Sequence, residues 1–351
     1  MVGFLLLGTV VFPVQAAFTN LYIFGDSLST TTDNPSIGPF YYGNRYSNGR
    51  VWVEVLAQRQ GLTYDSNKNL SYFGNTSTSM LASVTSFSIT PSAASNALFV
   101  IWVNDADLFY PAEDSDTSMP QWTSAINQAQ TNHFKAVTNL YAKGARTLIM
   151  PNAVDISTIP YFNGSDNANF IHLRCLDYNV AFSNTLNRIR ASCPNLTLYT
   201  PDFFTLLTNI LAHPANYGLT NALLDGFSIG ALQDTALSNQ TTNGPGTNYI
   251  FWDPKDPTAK VHAWMANLAQ QLISPVRICN LIAFNGSNRL DMANVPIGQN
   301  GLVLGRTNLV LGNWKTNLTF VSTNATQSVF VTNSGPQWFY RLKFLYSWTW
   351  P

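Results

Sequence analysis

The chain has 351 residues, enough for one large domain and a smaller one, since a single hydrophobic core rarely grows past ~250 to 300 residues. Charged residues make up only 10% of it, while 46% are hydrophobic and 13% aromatic, a composition that excludes intrinsic disorder. Eighteen basic and eighteen acidic residues cancel, so the sequence carries no electrostatic footprint for nucleic acid or for an anionic membrane.

Residues Val2 to Val14 form an uncharged apolar run followed by Gln15-Ala16-Ala17, which reads as a signal peptide over residues 1–17 and a secreted, periplasmic or cell-surface protein. No Lys or Arg precedes the run, so a plain N-terminal strand stands as the alternative. The run is shorter than the ~20 residues a membrane-spanning helix needs, and no later stretch is long and apolar enough. Thr19 to Phe24 then reads as a buried strand entering a turn at Gly25-Asp26. Asn96 to Val103 and Arg146 to Pro151 repeat this pattern, as doubly covered parallel strands do, and Leu196 to Thr200 offers a further strand. Helical spacing of apolar residues runs from Met119 to Ala142 and from Asn169 to Ser192, and Pro257 opens a further helix to Ile273. Alternating strands and helices predict an α/β domain over residues 18–274. From about residues 273 to 280 the pattern changes: short Val-, Leu-, Thr- and aromatic-rich runs separated by Asn-Gly and Gly-rich turns predict a small antiparallel β-sandwich-like domain over 275–351.

Cys175, Cys193 and Cys279 allow at most one disulfide and one thiol. Triplets such as Asn163-Gly-Ser165 and Asn195-Leu-Thr197 are glycosylation acceptors only in a eukaryotic secretory pathway, and chance accounts for them equally well in so Asn- and Thr-rich a chain. Metal-binding motifs and phosphate-cradling glycine loops are missing from the sequence, and no cofactor is implied. Gly226-Phe-Ser228-Ile-Gly230 matches a nucleophile-elbow pattern, but no buried strand leads into it. His133, His172 and His213 fall on helical stretches away from any motif and read as structural.

Gly25-Asp26-Ser27-Leu28 places a serine at the end of the first buried strand, where a hydroxyl can stand at the carboxyl edge of a sheet. A serine after Asp in a turn also serves as a helix cap, so the tetrapeptide decides little alone. Together with Ser29 it resembles the first block of the GDSL, or SGNH, hydrolases. Asn69 to Asn75 is similar to the second block, with Gly74 at its oxyanion-binding glycine, and Asn104-Asp105 to the third, with Asn104 at its oxyanion-binding asparagine. The resemblance covers about Thr19 to Ser274. It implies a three-layer, flavodoxin-like α/β fold and a serine ester hydrolase that forms an acyl-enzyme on Ser27, with Ser27, Gly74 and Asn104 as the oxyanion hole. Small-molecule, lipid or acylated-carbohydrate esters are the substrates it implies.

Two departures stand out. Trp102 lies where the family has a glycine, two residues before the block-three asparagine. In Asp253-Pro-Lys-Asp256-Pro-Thr258, Asp256 occupies the position of the family's histidine. An ordinary aspartate, with a pKa of ~3.9 against ~6.5 for histidine, is a poor base for a serine hydroxyl. His262, six residues on, is then the nearest replacement, oriented by Asp253 or Asp256, although six helical residues displace it by roughly 9 Å. A packed helical residue is the equal alternative for it. The resulting expectation is an esterase or lipase using Ser27, Asp253 and His262; the alternatives are a degenerate glycan- or lipid-binding protein and a carbohydrate deacetylase or acyltransferase. The last segment, Leu311 to Trp314 and Trp338 to Leu342, resembles small β modules appended to secreted bacterial enzymes.

Overall fold

A computed structural model describes residues 18–35, 38–115, 117–295, 298–332 and 337–345. The expected leader over 1–17 lies outside the described residues.

The chain opens with strand β1 (Asn20–Gly25) and continues through helices α1 (Trp52–Arg59), α2 (Ser77–Ser86) and α3 (Pro91–Ser95) to β2 (Ala97–Trp102). Helices α4 (Asn104–Glu113) and α5 (Met119–Ala142) lead to β3 (Thr147–Ile149), and α6 (Ala168–Ser192) to β4 (Thr197–Tyr199). After α7 (Phe203–Ala212) and a small hairpin of β5 (Leu223–Leu224) and β6 (Phe227–Ser228), α8 (Ala259–Ile273) ends the α/β part. Strands β1 to β4 form one parallel sheet in sequential order. On the far side of β1, Ile23 bridges Asn69 in parallel and its carbonyl accepts from the Leu70 N–H at 2.8 Å. The second block thus lies beside the first at the sheet, and the arrangement is the three-layer, flavodoxin-like one the sequence implied.

All six residues of β2 are buried, which requires cover on both faces of the sheet. Helix α1 packs on α8, while α2, α4 and α6 pack on α5. Trp102 belongs to this core. Its indole meets Trp52 at 5.7 Å and Phe203 at 4.9 Å, both edge to face, and Nε1 donates to the Asn152 carbonyl at 3.2 Å. The position that the family gives to glycine therefore carries a structural side chain here.

Beyond Ile273 the chain forms two three-stranded antiparallel sheets. One joins β7 (Arg277–Phe284), β8 (Ser287–Ala293) and β11 (Thr326–Thr332); the other joins β9 (Asn300–Arg306), β10 (Lys315–Val321) and β12 (Phe339–Leu345). Strand β8 alternates strictly, burying Asn288, Leu290 and Met292, and with Val303, Val329 and Val331 the last two form a separate core. The β7–β8 loop is Asn285-Gly286, with Gly286 at φ 78°, a conformation that favours glycine.

No disulfide joins the cysteines; Cys175 and Cys193 are buried as thiols and Cys279 is half-buried. Among the described residues no helix is long and apolar enough to cross a membrane. Ser228 of the elbow-like pattern sits in the β5–β6 hairpin, where its carbonyl accepts from Asn163 Nδ2. His133 donates from Nδ1 to the Ala129 carbonyl at 2.8 Å, and His172 pairs with Asp155 at 2.5 Å.

Candidate active site

Strand β1 ends at Gly25, where a Cβ would fall 2.7 Å from Ser29 Cβ and 2.9 Å from Ser71 Oγ, so the turn closes only on glycine. The Asp26 carbonyl accepts from the N–H groups of Ser29 and Thr30, and its Oδ1 from the Leu28 N–H at 3.2 Å. Three further contacts fix the turn: Trp52 Nε1 donates to Ser29 Oγ at 3.0 Å, Asn69 Nδ2 to the Ser29 carbonyl at 2.7 Å, and Asn75 Nδ2 to the Gly25 carbonyl at 2.8 Å. Half-buried Ser27 is left facing a cavity of about 240 Å³.

Ser27 Oγ donates to Asp256 Oδ1 at 2.9 Å. Asp256 sits in a tight loop in which its carbonyl accepts from the Trp252 N–H and its own N–H donates to Asp253 Oδ1 at 2.8 Å. Asp253 also accepts from the Lys255 N–H at 2.8 Å and, through Oδ2, from the Tyr41 hydroxyl at 2.9 Å. Both carboxyls are buried, and burial raises both above the usual carboxylate range. Asp256 is raised well above it, by burial first and then by the neighbouring Asp253 charge. Three donors favour the charge on Asp253, whereas among the described residues the Asp256 carboxyl takes the Ser27 hydroxyl alone; the two titrate as a pair with the proton favouring Asp256. Burial and Asp253 in turn push the Tyr41 phenol upward.

Gly74, at φ 73°, lines the same cavity, and a Cβ there would lie 2.6 Å from Tyr110 Oη. Asn104 opens α4 directly after the β2 edge, but its side chain lies outside the described residues. His262 stands in the first turn of α8, fully inside the packing; its N–H donates to the Thr258 carbonyl and its Nδ1 has no hydrogen-bond partner among the described residues. Burial lowers its pKa to about 3. No hydrogen bond links it to Ser27, Asp253 or Asp256, so the Ser27 hydroxyl has Asp256 as its partner.

Leu28, Ile156, Ile159, Leu207, Phe251 and Met265 give the cavity an apolar wall. At the mouth, Lys255 Nζ lies 4.2 Å from the Phe109 ring centre, 4.7 Å from Tyr161 and 3.8 Å from Glu113 Oε1, fastening the Asp253–Asp256 loop to the α4 side. Sequence reasoning missed Tyr41 and Lys255. Lys255 was at least inside a recognised block, whereas nothing in the segment around Tyr41 marks a partner 212 residues away.

The parallel sheet thus presents, at the end of its first strand, a serine in hydrogen-bond contact with a buried acidic loop, on an α/β fold of the flavodoxin-like class. The model of the family described as GDSL-like Lipase/Acylhydrolase matches residues 21–269, and the chain belongs to that family. A GDSL esterase/lipase of Arabidopsis thaliana is 27% identical over 141 residues, 37% of this chain and 40% of that protein. Thermolabile hemolysin of Vibrio parahaemolyticus is 22% identical over 259 residues, 69% of this chain and 60% of its own length. The chain thus spans about half the length of the curated relatives it matches. Among solved structures, an acetylxylan esterase from Geobacillus stearothermophilus superposes with a TM-score of 0.43 at 14% identity, covering 74% of this chain and 94% of that one. A lipase from a goat rumen metagenome gives 0.44 at 12% identity, over 71% and 95%.

Proposed function

We propose that this chain is a serine ester hydrolase in which Ser27 attacks the ester carbonyl and Asp256 takes the hydroxyl proton. The observation that carries this reading is the 2.9 Å hydrogen bond from Ser27 Oγ to Asp256 Oδ1 inside a cavity with an apolar wall. A carboxylate in the ordinary range is a weak base at neutral pH, but one lifted by burial and by a neighbouring anion approaches the range in which general bases work. The proton moves to Asp256 as the tetrahedral adduct forms and returns to the departing alkoxide, leaving the acyl group on Ser27. Water, deprotonated by the same carboxylate, then releases the acid and restores the serine. Gly74 and Asn104, at the family's oxyanion positions, are the proposed donors to the developing charge, together with the Ser27 N–H.

The apolar wall favours acyl groups of hydrocarbon character over a bare carbohydrate acetate, which leaves deacetylation of glycans the weaker choice of substrate. A second reading is binding of an ester without turnover, and the specific feature that favours it is Asp256 itself, a carboxyl where the family has imidazole. Hydrolysis of p-nitrophenyl acyl esters of graded chain length by wild type and by Ser27→Ala decides between them. Turnover by wild type and not by the variant supports the esterase; equal turnover by both ends it. Wild type that neither turns esters over nor is phosphonylated at Ser27 by a fluorophosphonate would favour the binding protein.

A further inference from the structure

We propose that the β9–β10 end of the sandwich docks the protein on an anionic lipid surface, inserting Leu309, Val310 and Leu311. These three consecutive residues are 57%, 87% and 70% exposed, far more than any packing role requires. The loop that carries them is nonetheless built. Asn308 Oδ1 accepts from the N–H groups of Val310 and Leu311 at 2.8 and 3.1 Å, Arg306 Nε donates to the Asn308 carbonyl, and Gly312 takes the left-handed turn at φ 90°.

Charge selects the occupant. Arg306, Lys315, Arg341 and Lys343 are the charged residues from Met292 to Pro351, a stretch with no Asp or Glu, so the neutral whole conceals a segment with net charge +4. Arg341 and Lys343 are exposed on β12, alternating with Tyr340, Leu342 and Phe344, which pack toward the sandwich core. Arg341 and Arg306 both lie over the Trp314 ring, at 4.6 and 5.2 Å, next to the apolar loop. An apolar tip flanked by an amphipathic indole and two arginines matches a headgroup layer over hydrocarbon, where apolar side chains sink and basic ones meet acidic headgroups. A protein partner would have to supply an acidic, concave surface around an apolar socket. The proposal does not depend on whether Ser27 turns esters over.

The test is flotation of the full chain with vesicles of phosphatidylcholine containing roughly 30% phosphatidylserine, against phosphatidylcholine alone. Wild type is expected to float with the anionic vesicles and to be released by about 0.5 M salt. Leu309→Ser/Val310→Ser/Leu311→Ser should bind at least roughly tenfold more weakly, as should Lys315→Gln/Arg341→Gln/Lys343→Gln on anionic vesicles. All six side chains are exposed, so thermal unfolding of both variants should match wild type and certify the fold. Wild type that stays with the soluble fraction, or a triple-serine variant that floats as wild type does, overturns the proposal. So does self-association of wild type, read by analytical ultracentrifugation, that the serine variant abolishes without any vesicle binding.

Discussion

Ser27 and Asp256 lie 229 residues apart and share a hydrogen bond of 2.9 Å, with Asp256 raised well above the usual carboxylate range. The proposed reaction uses Asp256 as the anion, so activity should fall as pH drops through its folded value, on a limb well above pH 3.8. Asp256→Asn removes the base and should lower kcat/KM by about 10² to 10⁴ without a comparable change in stability. A pH–rate profile of wild type and variant reads both effects; an Asn variant as active as wild type would exclude Asp256 as the base.

Asp256→His puts an imidazole between Ser27 and Asp253, whose Oδ1 already receives the residue-256 N–H at 2.8 Å. Histidine is the better base near neutrality, so this variant should gain roughly tenfold or more in kcat/KM. Its low-pH limb should follow the imidazole. A loss of activity on the p-nitrophenyl ester series would contradict the geometry described for this loop.

His262 is held neutral by burial, with its pKa lowered to about 3 from 6.5. Between those values the unfolded chain binds more protons than the folded one, so the contribution to stability is complete above pH 6.5 and is lost as pH falls toward 3. His262→Gln should therefore retain ester turnover within about twofold and flatten the acid side of the stability profile, the slope of which is at most ~1.4 kcal/mol per pH unit for one such group. Urea unfolding across pH 4 to 7, alongside turnover, measures both.

Asp107 behaves in the opposite sense. Its carboxylate accepts from the Ser77 N–H at 3.1 Å and from Ser77 Oγ at 3.2 Å, and burial raises its pKa to about 7 from 3.8. Within that window the folded state holds more protons, so the contribution of Asp107 to stability is greatest below 3.8 and declines as pH rises through 7, by up to ~1.4 kcal/mol per unit. Asp107→Asn should remove this decline, seen as a Tm difference from wild type that changes steadily between pH 4 and 8.

Trp102→Gly restores the glycine of the family pattern but should destabilise this chain by at least ~3 to 5 kcal/mol, because the indole fills the space between Trp52 and Phe203. Denaturant unfolding measures it. A near-neutral result would mean that the aromatic cluster contributes little to the nucleophile turn, which Trp52 reaches through Ser29.

Local order was legible because it is written locally. Met119 to Ala142 has helical spacing and is helical over those residues, and the four apolar runs are the four strands of the parallel sheet, each within one or two residues. Helices α1, α2, α3, α4 and α7 went unread; α1, for one, starts from Val51, which offers no side-chain cap. The positions of Ser27, Gly74 and Asp256 could be marked from blocks in the sequence, since each block is a short strand-to-turn unit with its own residue requirements. Which side chain faces Ser27 could not be. Asp256 and His262 are six residues apart on a loop and a helix, and only the closure of the Trp252–Asp256 turn around Asp253 points one toward the serine while α8 packs the other away. The raised state of Asp256 has the same origin. An isolated aspartate titrates in the ordinary range; it is the three-dimensional burial beside Asp253, with Tyr41 holding that neighbour's charge, that sets its affinity for a proton.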